Sequence, residues 1–150
     1  MIQSRGYRGY ISSRPFLGER VPQHVQNLVI RNFCIENNLR FLLSSVEVAM
    51  PNTYMIMENL LEQLDDIEGI VCYSMFQLHH EKQLRVKVYN TILTKCKSIH
   101  FAVEGLSLSS HLDVARIDNI LCVKNVMSDT LGVDALKKSI KVAESMGNMK

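Results

Sequence analysis

No apolar run in this sequence approaches the roughly 20 residues that a helix needs to cross a bilayer, so no membrane span is expected. The first residues, Met1-Ile2-Gln3-Ser4-Arg5, lack the apolar stretch of a secretory signal. Together these absences predict a cytoplasmic protein. Tryptophan is missing altogether, and the four cysteines, Cys34, Cys72, Cys96 and Cys122, are far apart with no CxxC pair. That spacing argues against a metal site and against a disulfide framework. Cys34 and Cys72 sit in apolar patterns and read as reduced core residues, since buried free cysteine behaves as a small hydrophobe. Charge of one sign is not in excess either. A formal net charge of +2 is too small to argue for nucleic acid on electrostatics alone. What remains is a globular balance, 47% hydrophobic and 21% charged over 150 residues, enough to fill the core of one domain.

The first third is the most informative stretch. Residues 6–13 read as a strand and run into a loop dense with hydroxyls, arginines and glycines: Ser12-Ser13-Arg14-Pro15-Phe16-Leu17-Gly18-Glu19-Arg20. Pro22 then suits the first turn of a helix, where its missing N–H costs nothing. Val21, Val25, Leu28, Val29, Ile30 and Phe33 follow helical spacing over 22–37. A strand, a polar loop and a helix N-terminus form a common anion-binding geometry in α/β proteins.

The pattern continues. Arg40–Val46 is a continuous apolar run, as in buried parallel strands. A helix follows from Pro51 to about Asp66, with Met55, Ile56, Leu60 and Leu64 facing inward. Ile70–Phe76 is the third strand, and Glu81–Thr94 a helix with Leu84, Val88 and Ile92 on one face. Ser98–Glu104 is the fourth strand, and helices are expected at 110–127 and about 132–146. This order predicts an α/β fold, a three-layer parallel sheet of about four strands with helices on both faces. Ligands in such sheets bind at the carboxyl ends of the strands. That rule selects four loops: Ser12–Val21, Val46–Asn52, Gln77–Glu81 and Glu104–His111. The C-terminal helices, from about 110, carry Leu112, Ala115, Ile120, Val123, Leu136 and Ile140, which suit homodimerisation.

Two resemblances bear on function. Tyr10-Ile11-Ser12-Ser13, Gln26-Asn27-Leu28 and the strand Val71-Cys72-Tyr73-Ser74-Met75-Phe76 resemble the catalytic domain of serine recombinases, over roughly residues 6–127. In that family the first strand carries Tyr-x-Arg-Val-Ser, and Ser12 falls nearest the nucleophile. Tyr10, however, stands where the family has an arginine. Phe76-Gln77 replaces its Asp-Arg pair, and His80 its next arginine. Without those cations a transferring phosphoryl group is poorly stabilised. The resemblance thus implies the fold, flavodoxin-like and recombinase-like, without recombinase activity. A second resemblance is to the sporadic carbohydrate cluster proteins of bacteria. It is carried by Gly6–Phe16, Pro22-Gln23, Gln26-Asn27, Met50-Pro51-Asn52 and His100-Phe101-Ala102-Val103-Glu104. It implies a role in surface-polysaccharide synthesis, of O-antigen or capsule.

The candidate site follows. Ser13, Arg14 and Arg20, with Asn52 and Gln77, would hold a phosphate, because hydroxyls donate to its oxygens and arginine grips them bidentately. Ser12 could act as a nucleophile if a base lies beside it, and His24, His79 and His80 are the imidazoles available. His80 after the third strand could serve as acid or base, and Glu104 at the end of the fourth as a base or a hydroxyl acceptor. The expected partner is a sugar phosphate or nucleotide-sugar. No cofactor, metal or membrane partner is expected, and nucleic acid is disfavoured. A non-enzymatic accessory protein of the pathway and a recombinase-like phosphodiester enzyme are the alternatives.

Overall fold

The computed structural model describes residues 5–16, 18–47, 50 and 53–130. Four strands run parallel: β1 (Tyr7–Ser12), β2 (Phe41–Glu47), β3 (Gly69–Cys72) and β4 (Ser98–Phe101). They alternate with helices α1 (Gln23–Glu36), α2 (Met55–Glu62) and α3 (Lys82–Thr94), and a 3-10 turn over Met75–Gln77 follows β3. Helix α4 (His111–Thr130) comes last. The chain divides into two compact units. One extends to Val114 and holds the sheet; the other begins at Ala115 within α4. The helix expected at 132–146, and its part in a homodimer, lie outside the described residues. Among the described residues, no helix is long and apolar enough to cross a membrane.

The sheet order is β2-β1-β3-β4-β5. The fifth strand, β5 (Leu106–Leu108), corrects the expectation of a loop over Glu104–His111. Gly105 adopts φ +64°, a left-handed conformation open to glycine. The chain then reverses, and β5 pairs antiparallel with β4, Phe101 opposite Leu106 and Ile99 opposite Leu108. A three-residue strand is too short to leave an alternating signature.

Side chains of β1 point alternately to the two faces of the sheet. Ile11 joins Val71 of β3 and Ile30 and Cys34 of α1 in a buried cluster. Tyr10 points the other way, where its hydroxyl meets Glu47 beside the first turn of α2. Helices therefore cover both faces, as the order of elements implied.

Three burial assignments change. In α1 the residues buried are Gln26, Ile30 and Cys34, while Leu28 is exposed. In α2 they are Met57 and Leu60, with Leu64 beyond, while Met55 is exposed. Leu43 is exposed too, because β2 is an edge strand. At Gly69 the sheet is so close that an added Cβ would overlap the Ser98 carbonyl oxygen.

Candidate functional site

Strand β1 lies between β2 and β3, so the chain leaves its carboxyl end in one direction and the loop after β3 leaves in another. Diverging loops at such a point open a crevice. Here it is a cavity of about 160 Å³ containing Ser12, Arg14, Gln77 and His80, walled by the rings of Phe16, Tyr54 and Phe76.

Ser12 closes β1 and is almost fully buried. Its Oγ accepts from the Arg14 main-chain N–H at 3.1 Å and from Arg14 Nε at 3.4 Å. Among the described contacts this hydroxyl accepts twice and donates to no other group, so its proton is available to a ligand. The serine peptide is held by Gln26, which is fully buried. Gln26 Oε1 accepts from the Ser12 N–H at 3.1 Å, and its Nε2 donates to the carbonyls of Ser12 at 2.8 Å and Val21 at 2.9 Å. Gln77 Nε2 donates to the same Gln26 oxygen at 2.8 Å, and Gln77 Oε1 accepts from the Ser74 N–H. Two glutamines thus join the β1 loop, α1 and the turn after β3.

The Arg14 guanidinium lies 4.1 Å from the centre of the Tyr54 ring, a cation–π contact. Tyr54 also stacks with His79, ring centres 3.5 Å apart. Burial, and then the Arg14 charge, lower the pKa of His79 to about 4, so its imidazole is neutral near pH 7. His80 beside it is exposed and reaches the cavity. The main chain of both histidines is pinned from below: Arg85 Nη1 donates to the carbonyls of His79 at 2.9 Å and His80 at 2.8 Å.

Of the residues singled out in the sequence, Ser12, Arg14, Gln77 and His80 come together. Ser13 turns aside and donates from Oγ to the Glu47 carbonyl, and Arg20 Nε donates to the Ser13 carbonyl. Both shape the loop. Glu104 lies outside this cavity, its Oε1 accepting from Ser74 Oγ at 2.5 Å and its Oε2 from the Met75 N–H at 3.3 Å. Asn52 lies outside the described residues. Sequence reasoning missed Phe16 and Tyr54 as walls of the site. Tyr54 stands two positions past the end of the loop selected by the strand-end rule, and extending that loop to the first turn of α2 would have included it. Gln26 as the central hydrogen-bonding side chain was also missed. A glutamine placed among the apolar positions of α1 was the available signal.

No family model matches the chain, and no curated protein matches it. Among solved structures, the fold resembles a resolvase family site-specific recombinase from Streptococcus pneumoniae, with TM-score 0.52 and 10% identity, covering 92% of this chain and 99% of that one. It also resembles the N-terminal catalytic domain of TP901-1 integrase, with TM-score 0.55 and 11% identity, covering 83% and 98%. At these identities the likeness establishes the fold, that of serine recombinase catalytic domains.

These findings overturn the expected function. The two solved structures named above are a recombinase and an integrase catalytic domain, not polysaccharide proteins, against the expected polysaccharide role and its sugar phosphate or nucleotide-sugar partner. Glu104, expected beside Ser12 and Arg14, lines a different cavity, where its carboxylate accepts from Ser74 Oγ and the Met75 N–H. The expectation that nucleic acid is disfavoured is corrected by the same comparisons. Net charge was its basis, and net charge says nothing of one guanidinium placed in one crevice.

Proposed function

We propose that this chain engages a nucleic-acid backbone phosphate at the carboxyl end of β1, as a phosphodiester-binding domain with the serine-recombinase fold. One observation carries the reading: the Ser12 hydroxyl and the Arg14 guanidinium are adjacent, at 3.4 Å, in a crevice of about 160 Å³ that has room for a phosphate. In this reading Arg14 supplies charge and N–H donors to the phosphate oxygens, and Ser12 donates its free proton. His80 at the rim adds a further contact. The kind of protein that shares the fold, a site-specific recombinase and an integrase, favours nucleic acid as the source of that phosphate.

Binding is favoured over phosphoryl transfer. Among the described residues lining the cavity, Arg14 is the sole guanidinium, and developing negative charge in a transfer step calls for several preorganised donors. A cytoplasmic location belongs to the same reading, in keeping with the buried free thiols Cys34 and Cys72. Fluorescence anisotropy with labelled DNA over a salt series is the test. Affinity falls log-linearly with salt, and Arg14→Ala weakens binding on all sequences while lowering the salt slope by about 1. Binding that does not depend on salt, or that Arg14→Ala leaves intact, refutes it.

A further inference from the structure

Phe16 and Phe76 also line a second cavity. It measures about 290 Å³ and is walled by Phe16, Tyr73, Phe76 and Val103, with the carboxyl groups of Glu19 and Glu104 at its edge. Phe16 and Tyr73 meet edge to face, ring centres 5.8 Å apart at 66°. Among the described residues no lysine or arginine lines this cavity, so it does not suit a phosphate. Its chemistry is that of a flat, apolar group with polar donors along one edge.

Glu104 is fixed in place to receive such an edge. Its Oε1 accepts from Ser74 Oγ and its Oε2 from the Met75 N–H. Ser74 in turn is held by its own capping role, its Oγ accepting from the Phe76 N–H at 3.2 Å. A carboxylate offers about four lone-pair sites. Among the described residues two are taken, one on each oxygen, so each oxygen keeps one for a ligand, in a geometry that is set before binding.

We infer that the second cavity is a nucleobase subsite, which takes the unstacked base belonging to the phosphate beside Arg14. The base lies against the Phe16–Phe76 wall that the two cavities share, and its edge donates to Glu104. This inference builds on the phosphate reading of the first cavity. Unpaired bases stack on aromatic side chains irrespective of sequence, and the carboxylate then discriminates. Guanine presents adjacent N–H donors to its two oxygens and cytosine a single amino group. A uracil or thymine carbonyl placed there would face a carboxylate oxygen, acceptor against acceptor.

Calorimetry on the full chain tests this with inorganic phosphate, guanosine, uridine, GMP and UMP as probes. GMP binds about 10-fold or more tightly than UMP, and guanosine more tightly than uridine. Glu104→Gln and, separately, Val103→Trp, which fills the cavity from its open side, both abolish that preference and leave the response to inorganic phosphate unchanged. Arg14→Ala weakens phosphate, GMP and UMP alike and spares the preference between the nucleosides. Equal binding of GMP and UMP, or a preference that survives both Glu104→Gln and Val103→Trp, overturns the base subsite while the phosphate site stands. Guanosine preferred over uridine with no response to inorganic phosphate supports the subsite and defeats the phosphate reading instead.

Discussion

The Tyr10 hydroxyl donates to Glu47 Oε2 at 2.9 Å, and both side chains are fully buried. The same carboxylate accepts from the main-chain N–H groups of Ile56 at 3.3 Å and Met57 at 3.2 Å, in the first turn of α2. Glu47 thereby ties the carboxyl end of β2 to a helix N-terminus, where negative charge is favoured. Burial, and then the Glu47 carboxylate, push the Tyr10 phenol far above its usual range, so it stays a donor. Tyr10→Phe is expected to cost about 1 kcal/mol, because one bond is lost. Glu47→Ala is expected to cost about 3 kcal/mol or more, since it leaves three donors without their acceptor, two of them buried. Urea denaturation measures both. Equal effects would show that the α2 N–H groups do not depend on Glu47.

Gln26 makes a sharper case because its two ends do different things. Oε1 accepts from Ser12 and Gln77, and Nε2 donates to two carbonyls. Gln26→Glu keeps the shape and the first set of bonds but turns an oxygen toward the Ser12 and Val21 carbonyls. A loss of about 2–3 kcal/mol in stability is expected, together with weaker DNA binding, because the Ser12 peptide is released. DNA affinity unchanged in a folded Gln26→Glu variant would disconnect this glutamine from the site.

His79 predicts a pH dependence. Its pKa is held near 4 in the folded protein, by burial first and then by Arg14, against about 6.5 in an unfolded chain. Between these values the unfolded chain binds a proton that the folded one excludes. Stability therefore falls as pH drops from about 6.5 toward about 4, and the contribution is constant above that window. Melting curves from pH 4 to 7 should show the decline, and His79→Leu should flatten it. A residual slope in the variant is expected from His100, whose pKa burial also lowers. A variant as pH-sensitive as the parent would show that His79 is hydrated.

Gly69 begins β3 where a Cβ would overlap the Ser98 carbonyl oxygen and lie 2.9 Å from the Tyr7 ring. Neither neighbour can give way easily, one being strand backbone and the other wedged edge to face against His100. Gly69→Ala should cost about 2–3 kcal/mol by overpacking, readable as a shift in the urea midpoint. An unshifted midpoint would place β3 and β4 farther apart at this end than described.

The positions of the elements were legible because periodicity is local. Burial repeats at helical spacing within each helix, as at Ile30 and Cys34 of α1 and at Val88 and Ile92 of α3, and β3 is a short apolar run that begins at a glycine. The strand-end rule then selected the loops that hold Ser12, Arg14 and His80. Leu28 and Met55 were misassigned because an amphipathic stripe shows that a face exists, and only the neighbouring element settles which residues on its border are covered.

Chain order and hydropathy alone determine that β-strands alternate with helices and that a polar loop ends β1, since both depend on neighbours within a few residues. Tertiary structure alone decides that Gln26 and Gln77, 51 positions apart, meet beneath Ser12. It likewise decides that Glu104 turns to Ser74, and that Phe16 and Phe76 line two cavities at once. Such contacts are set by strand order and by the satisfaction of buried donors and acceptors, conditions on the whole fold that no local window of sequence contains.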